Sequence, residues 1–198
     1  MSNKTNTKKS TRLVSAGVFI ALYFVVFVVI GMCCMPVPVL YLCMSSLIAL
    51  VAAPVYMMLL AKAPVHGPIF IAAILPCLFL LLQGNIWIVI LTGMVAGILA
   101  EVITGMGKFR NTKLNVLSYV FFSENLLGGF LPIWVMRDYY FTDTLERGMS
   151  ADFCNTLEAL TPIWVLFVMI AGTVIFSLIG CAVSKKLFRK HFEKAGMV

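Results

Sequence analysis

Apolar positions run through this chain in long uncharged stretches. No Asp, Glu, Lys or Arg occurs over the 49 residues 13–61, and none over the 38 residues 63–100. A charged side chain at the bilayer centre costs roughly 2.5–3.5 kcal/mol on insertion scales, so uncharged stretches of about 20 residues mark transmembrane helices. Proline, glycine and short polar clusters divide the chain into six such spans, at about 13–35, 39–61, 68–82, 86–104, 114–136 and 159–184. Pro36 and Pro38 stop the first helix, because proline lacks the N–H a helix needs. Pro76 is expected to interrupt the third span, and Gln83-Gly84-Asn85 forms the polar turn after it. Residues 105–113 make a basic loop, and 137–158 the one long loop. The expected fold is all-α, a single polytopic six-helix transmembrane domain over residues 1–198.

Charge adds orientation. When the six spans alternate, 13 of the 15 Lys and Arg residues fall on one side and only Arg137 and Arg147 on the other. The positive-inside rule then places both termini in the cytoplasm and the connections 36–38, 83–85 and 137–158 outside. The long outer loop is acidic, with Asp138, Asp143, Glu146, Asp152 and Glu158 against two arginines. The net charge of +7 is thus a topology signal and not a nucleic-acid footprint. A composition that is 62% hydrophobic excludes an ordinary soluble domain. The first apolar run is too long for a cleavable signal peptide. The six cysteines form no C-x-x-C pair, and five lie in or beside apolar runs, as small buried hydrophobes do.

Polar residues inside these runs are the candidates for chemistry. Glu124 sits near the middle of the fifth span, and an ionisable group at that depth faces a wet cavity, a ligand or a hydrogen-bonding neighbour. Glu101, near the cytoplasmic end of the fourth span, is expected to reach the interface or to pair with Lys108 or Lys113. The outer rim collects Asn85, Trp87, Trp134, Arg137, Asp138, Tyr139 and Trp164. Interfacial aromatic belts account for some of these. Their clustering beside a loop long enough to be a lid points to a small-molecule site near the outer ends of spans four to six. Gly93 and Gly97 form a small-x-x-x-small face suited to close helix packing, and Ala16, Gly17 and Ala21 offer a second small-residue patch for a partner's helices.

Enzyme chemistry has little support. The two histidines, His66 and His191, lie at cytoplasmic edges, and no metalloprotease, hydrolase-elbow or phosphate-loop motif is present. The chain is therefore expected to hold no catalytic residue, metal or cofactor of its own. A self-contained secondary transporter using Glu124, or a membrane assembly factor that moves nothing, are the alternatives to solute capture. Inverted repeats of the transporter kind are not visible.

The stretch 17–25, Gly31-Met32, the stretch from Thr92-Gly93 to Glu101, PIWVMRDYYF at 132–141, LTPIW at 160–164 and the tail at 185–198 together resemble the Trep_Strep family across nearly the whole chain. That family is regarded as a set of substrate-binding S components of energy-coupling factor (ECF) transporters. The resemblance implies a six-helix S-component bundle in the bacterial cytoplasmic membrane. It also implies a membrane T subunit and two cytoplasmic ATPases as partners, with ATP hydrolysed by those partners. S components often carry an A-x-x-x-A pattern in the first helix where the T subunit packs; here the matching positions are Gly17 and Ala21. The implied cargo is a small water-soluble compound of the vitamin or micronutrient class.

Overall fold

Proline sets where several helices begin. Pro38, Pro68 and Pro132 each occupy the first turn of a helix, where the missing N–H is unpaired anyway and φ is already helical. In the computed structural model, which describes residues 2–194 and the side chains of 10–188, the elements are all helical. They are α1 (Ser2–Cys34), α2 (Pro38–Lys62), α3 (Pro68–Leu82), α4 (Ile88–Met106), α5 (Thr112–Ser123), a 3-10 segment (Glu124–Gly129), α6 (Pro132–Val135), α7 (Arg137–Glu146), α8 (Ala151–Leu160) and α9 (Ile163–Lys194). Residues 195–198 of the tail that carries part of the family resemblance lie outside the described residues.

Among the described residues, four helices are long and apolar enough to cross a membrane: Ser10–Cys34, Pro38–Lys62, Ile88–Met106 and Ile163–Phe188. The third apolar helix, α3, has 15 residues, about 22 Å at 1.5 Å per residue, and so is shorter than a typical hydrocarbon core.

Three sequence expectations change. Pro76 does not interrupt α3, which runs unbroken from Pro68 to Leu82. The fifth span is not one helix over 114–136: α5 ends at Ser123, and Glu124–Gly129 tightens into 3-10 geometry before the short α6. Gly128, Gly129 and Pro132 sit in this break, and all three disfavour a continuous α-helix. Residues 137–158 are not a loop but the helix pair α7 and α8. Ser150 starts α8 by accepting the Phe153 N–H, and Phe153, Cys154 and Leu157 form its buried face.

The long segments close into a ring. α1 packs on α2, α2 on α9, α9 on α5, α5 on α4, α4 on α3, and α3 back on α1. Small residues bring the walls together. A methyl added at Gly93 would lie 2.5 Å from Cys77 Sγ, and one at Gly97 would lie 3.0 Å from Ala73 Cβ, so the small-residue face of α4 seats directly on α3. A methyl at Gly180 of α9 would meet the Leu50 carbonyl oxygen of α2 at 2.8 Å.

The 3-10 break is held from inside. Its backbone leaves polar groups that a dry bundle must satisfy. Thr92 Oγ1 donates to the Asn125 carbonyl at 3.3 Å and accepts the Gly128 N–H at 3.1 Å. The fully buried Asn125 amide donates to the Ala73 carbonyl at 3.0 Å and to Tyr23 Oη at 3.2 Å. Deeper in the bundle, Tyr119 donates to the Ala49 carbonyl at 2.6 Å, and its ring lies 4.8 Å from that of Tyr56.

Candidate functional site

A partly open cavity lies where α1, α2, α3 and the α7–α8 pair meet. Its volume is about 620 Å³, within the range of small-molecule sites. The wall starts with what the helix ends supply. Phe27, Gly31, Met32 and Met35 come from the last turns of α1 and the turn after it, and Tyr41 and Met44 from the first turns of α2. Phe79, Leu80 and Gln83 come from the end of α3, and Leu126, Gly129 and Phe130 from the 3-10 break. Gly31 leaves the space open: a methyl there would meet only Met44 Sδ, at 3.7 Å.

Two ring pairs pack edge to face, a favoured arrangement for aromatic quadrupoles: Phe27 and Phe79, 6.1 Å apart at 87°, and Tyr41 and Phe153, 6.0 Å apart; Tyr41 also lies tilted against Phe130 at 5.1 Å. Polar groups gather at the other end. Tyr41 and Tyr140 hydroxyls share a hydrogen bond at 3.1 Å. Burial raises the Tyr140 phenol well above its usual range, so it stays protonated.

The α7–α8 pair covers this space; it is fastened to the end of α3 at one end and closed on itself at the other. Arg147, at the end of α7, donates to the Gln83 carbonyl at 3.2 Å, to the Gly84 carbonyl, and to the Asp143 carboxylate one turn earlier. Gly84 has φ +90°, which side chains resist, and the Arg147 guanidinium lies 3.1 Å from where a Cβ would stand. At the other end, Arg137 donates to the carbonyls of Glu158 (2.6 Å) and Thr161 (3.1 Å), pairs with the Glu158 carboxylate at 3.3 Å, and stands 5.3 Å from the Phe141 ring.

Of the rim residues that the sequence grouped as a ligand site, the structure brings Asn85 alone to this cavity. Trp87, Trp164 and Tyr139 are exposed on the outside of the bundle. Trp134 donates its indole N–H to the Pro162 carbonyl at 3.2 Å, Arg137 staples the lid, and Asp138 is exposed. The cavity therefore lies among the first three segments, the 3-10 break within the fifth, and the α7–α8 pair. Glu124 faces a separate shallow groove of about 260 Å³ with Leu91, Thr92, Val95 and Phe121, where one carboxyl oxygen has no partner among the described residues. Of the small-residue patch on α1, Ala16 is buried in the chain's own core, whereas Gly17 and Ala21 are exposed. Glu101 does not reach Lys108 or Lys113. Its carboxylate accepts the N–H groups of Gly67 and of Phe70 (3.2 Å) and lies 3.5 Å from His66, capping the start of α3.

The cavity residues that the sequence does not single out are Phe27, Phe79, Tyr41, Tyr140 and Arg147. Phenylalanines in apolar spans carry no local signal of a cavity. Arg147 and Asp143, spaced i,i+4 in the outer connection, did carry one. Among the described residues no cluster of three or more His, Cys, Asp or Glu could hold a metal ion.

Among the described residues the elements are all helical and four apolar helices reach membrane length, the architecture of an integral membrane protein. More narrowly, the chain belongs to the Trep_Strep family, described as hypothetical bacterial integral membrane proteins, whose profile matches residues 11–194. No curated protein and no solved structure matches the chain significantly.

Proposed function

We propose that the protein is a solute-capturing S component of an ECF-type importer in the bacterial cytoplasmic membrane, with both termini in the cytoplasm and six membrane-crossing segments. The observation that carries this reading is the position of the cavity. It is bounded by the ends of the helices that flank the connections 36–38, 83–85 and 137–158, the three that charge asymmetry assigns to the outside. A small compound arriving from outside would enter beneath α7 and α8. Phe27, Tyr41, Phe79 and Phe130 would wall its body, and Asn85 would hydrogen-bond it.

Binding alone moves nothing across a membrane, because a ligand shifts a conformational equilibrium only by its differential affinity. Import therefore needs a T subunit and two ATPases, and the exposed Gly17 and Ala21 face of α1 is the surface offered to that T subunit. The proton-coupled carrier reading rests on Glu124, whose groove is separate from the cavity.

Purification in mild detergent tests the assignment. Recovery of a second polytopic subunit with two ATPases is the expected result. Recovery of the chain with neither, from cells that express both, would overturn it in favour of the assembly-factor or carrier readings.

A further inference from the structure

We infer that the cavity takes an uncharged compound with an aromatic-sized apolar body and one hydrogen-bonding end; the inference rests on the capture reading above. The body follows from the wall. Rings from four parts of the chain, Phe27, Tyr41, Phe79 and Phe130, face the space, and the thioethers of Met32 and Met44 adapt to irregular shapes beside them. The absence of charge on the ligand follows from the polar end. The lining carries two formal charges, Asp143 and Arg147, and they neutralise one another. Further Arg147 donors go to the Gln83 and Gly84 carbonyls, so the fold holds the guanidinium at this wall with its charge already matched by Asp143. An ion seated between these rings would shed much of its water and meet no unmatched opposite charge, which is the costly case for burial. The side-chain amides of Gln83 and Asn85 make no hydrogen bond to the described residues and line the same end, so they are available to a neutral carbonyl, amide or hydroxyl.

Three probes on one body test this: 2-naphthylacetamide, 2-naphthylacetate and 2-(2-naphthyl)ethylammonium. Each is titrated calorimetrically at pH 7 into the full chain in nanodiscs and into Gly31→Leu, whose side chain fills the cavity toward Met44. Gly129→Leu is a second filling variant, used if the first does not fold. The amide is expected to bind at least tenfold tighter than either ion, and the filling variant to weaken it at least tenfold. An acetate or ammonium probe that binds as tightly as the amide, and is weakened by the filling variant, overturns the uncharged-ligand inference and leaves capture standing. No filling-sensitive binding by any of the three overturns both.

Discussion

Two regions of this bundle use glycine in opposite ways. Along the seams, Gly93, Gly97, Gly128 and Gly180 sit where a single methyl would collide with a neighbouring helix. At the cavity, Gly31 and Gly129 have nothing nearer than 3.7 Å to an added methyl. The same residue type closes the bundle in one place and keeps it open in the other. A helix pair drawn together by small residues gains dispersion contacts along its length. The outer ends of α1, α2 and α3 are held apart by rings and thioethers, which leaves a volume the chain does not fill. Close packing along the seams thus supplies the rigid frame on which an unfilled site can persist beside them.

This contrast can be broken from either side. The largest effect is expected at Gly128→Ala, whose methyl would press into Thr92 Oγ1 and lie 2.7 Å from the Ile88 carbonyl oxygen. Overpacking of a rigid core costs typically 1–3 kcal/mol, and this site belongs at about 3 kcal/mol, read as a lowered unfolding temperature in detergent. Asn125→Ala comes next. It strips partners from the Ala73 carbonyl and Tyr23 hydroxyl and should cost about 1–3 kcal/mol in the same assay. Loss of less than about 0.5 kcal/mol at Asn125 would mean that the 3-10 break is not held by this network. Arg147→Ala acts on the lid and not on the frame. Arg147 is partly exposed, so global stability should fall by no more than about 1 kcal/mol, while amide exchange across α7 and α8 rises severalfold. The smallest change is expected at Gly31→Ala, where the added methyl has room and alanine is the better helix former. Stability should hold or rise by a few tenths of a kcal/mol, a gain no seam glycine should show.

Much of the frame was legible in the sequence. Uncharged runs and prolines located α1, α2, α4 and α9 to within a few residues at most bounded ends, because hydropathy and lost N–H donors act locally. The four-residue step of Gly93 and Gly97 announced a close contact, and the structure shows Cys77 and Ala73 as what they meet. The break at Glu124 was misread as continuous span, although Gly128, Gly129 and Pro132 stood within it. Mean hydropathy over 114–136 is high whether or not the helix is continuous, so a window measure does not register the interruption. The site was the least legible part. Prominent polar and aromatic residues drew attention to the rim, yet Trp134 and Arg137 hold the lid's base, and Trp87 and Trp164 stand outside. The cavity wall is made of phenylalanine, tyrosine and methionine whose convergence depends on how six segments pack. No stretch of sequence contains that information by itself.

The network around the 3-10 segment bears on how the protein is made. Tyr23, Ala73 and Thr92, the groups that satisfy Asn125 and Gly128, all precede them in the chain. A ribosome that delivers the polypeptide from its N-terminus therefore presents residues 124–129 to partners already synthesised. The one stretch of non-α backbone between α5 and α6 never needs to wait, uncompensated, for a later helix to arrive.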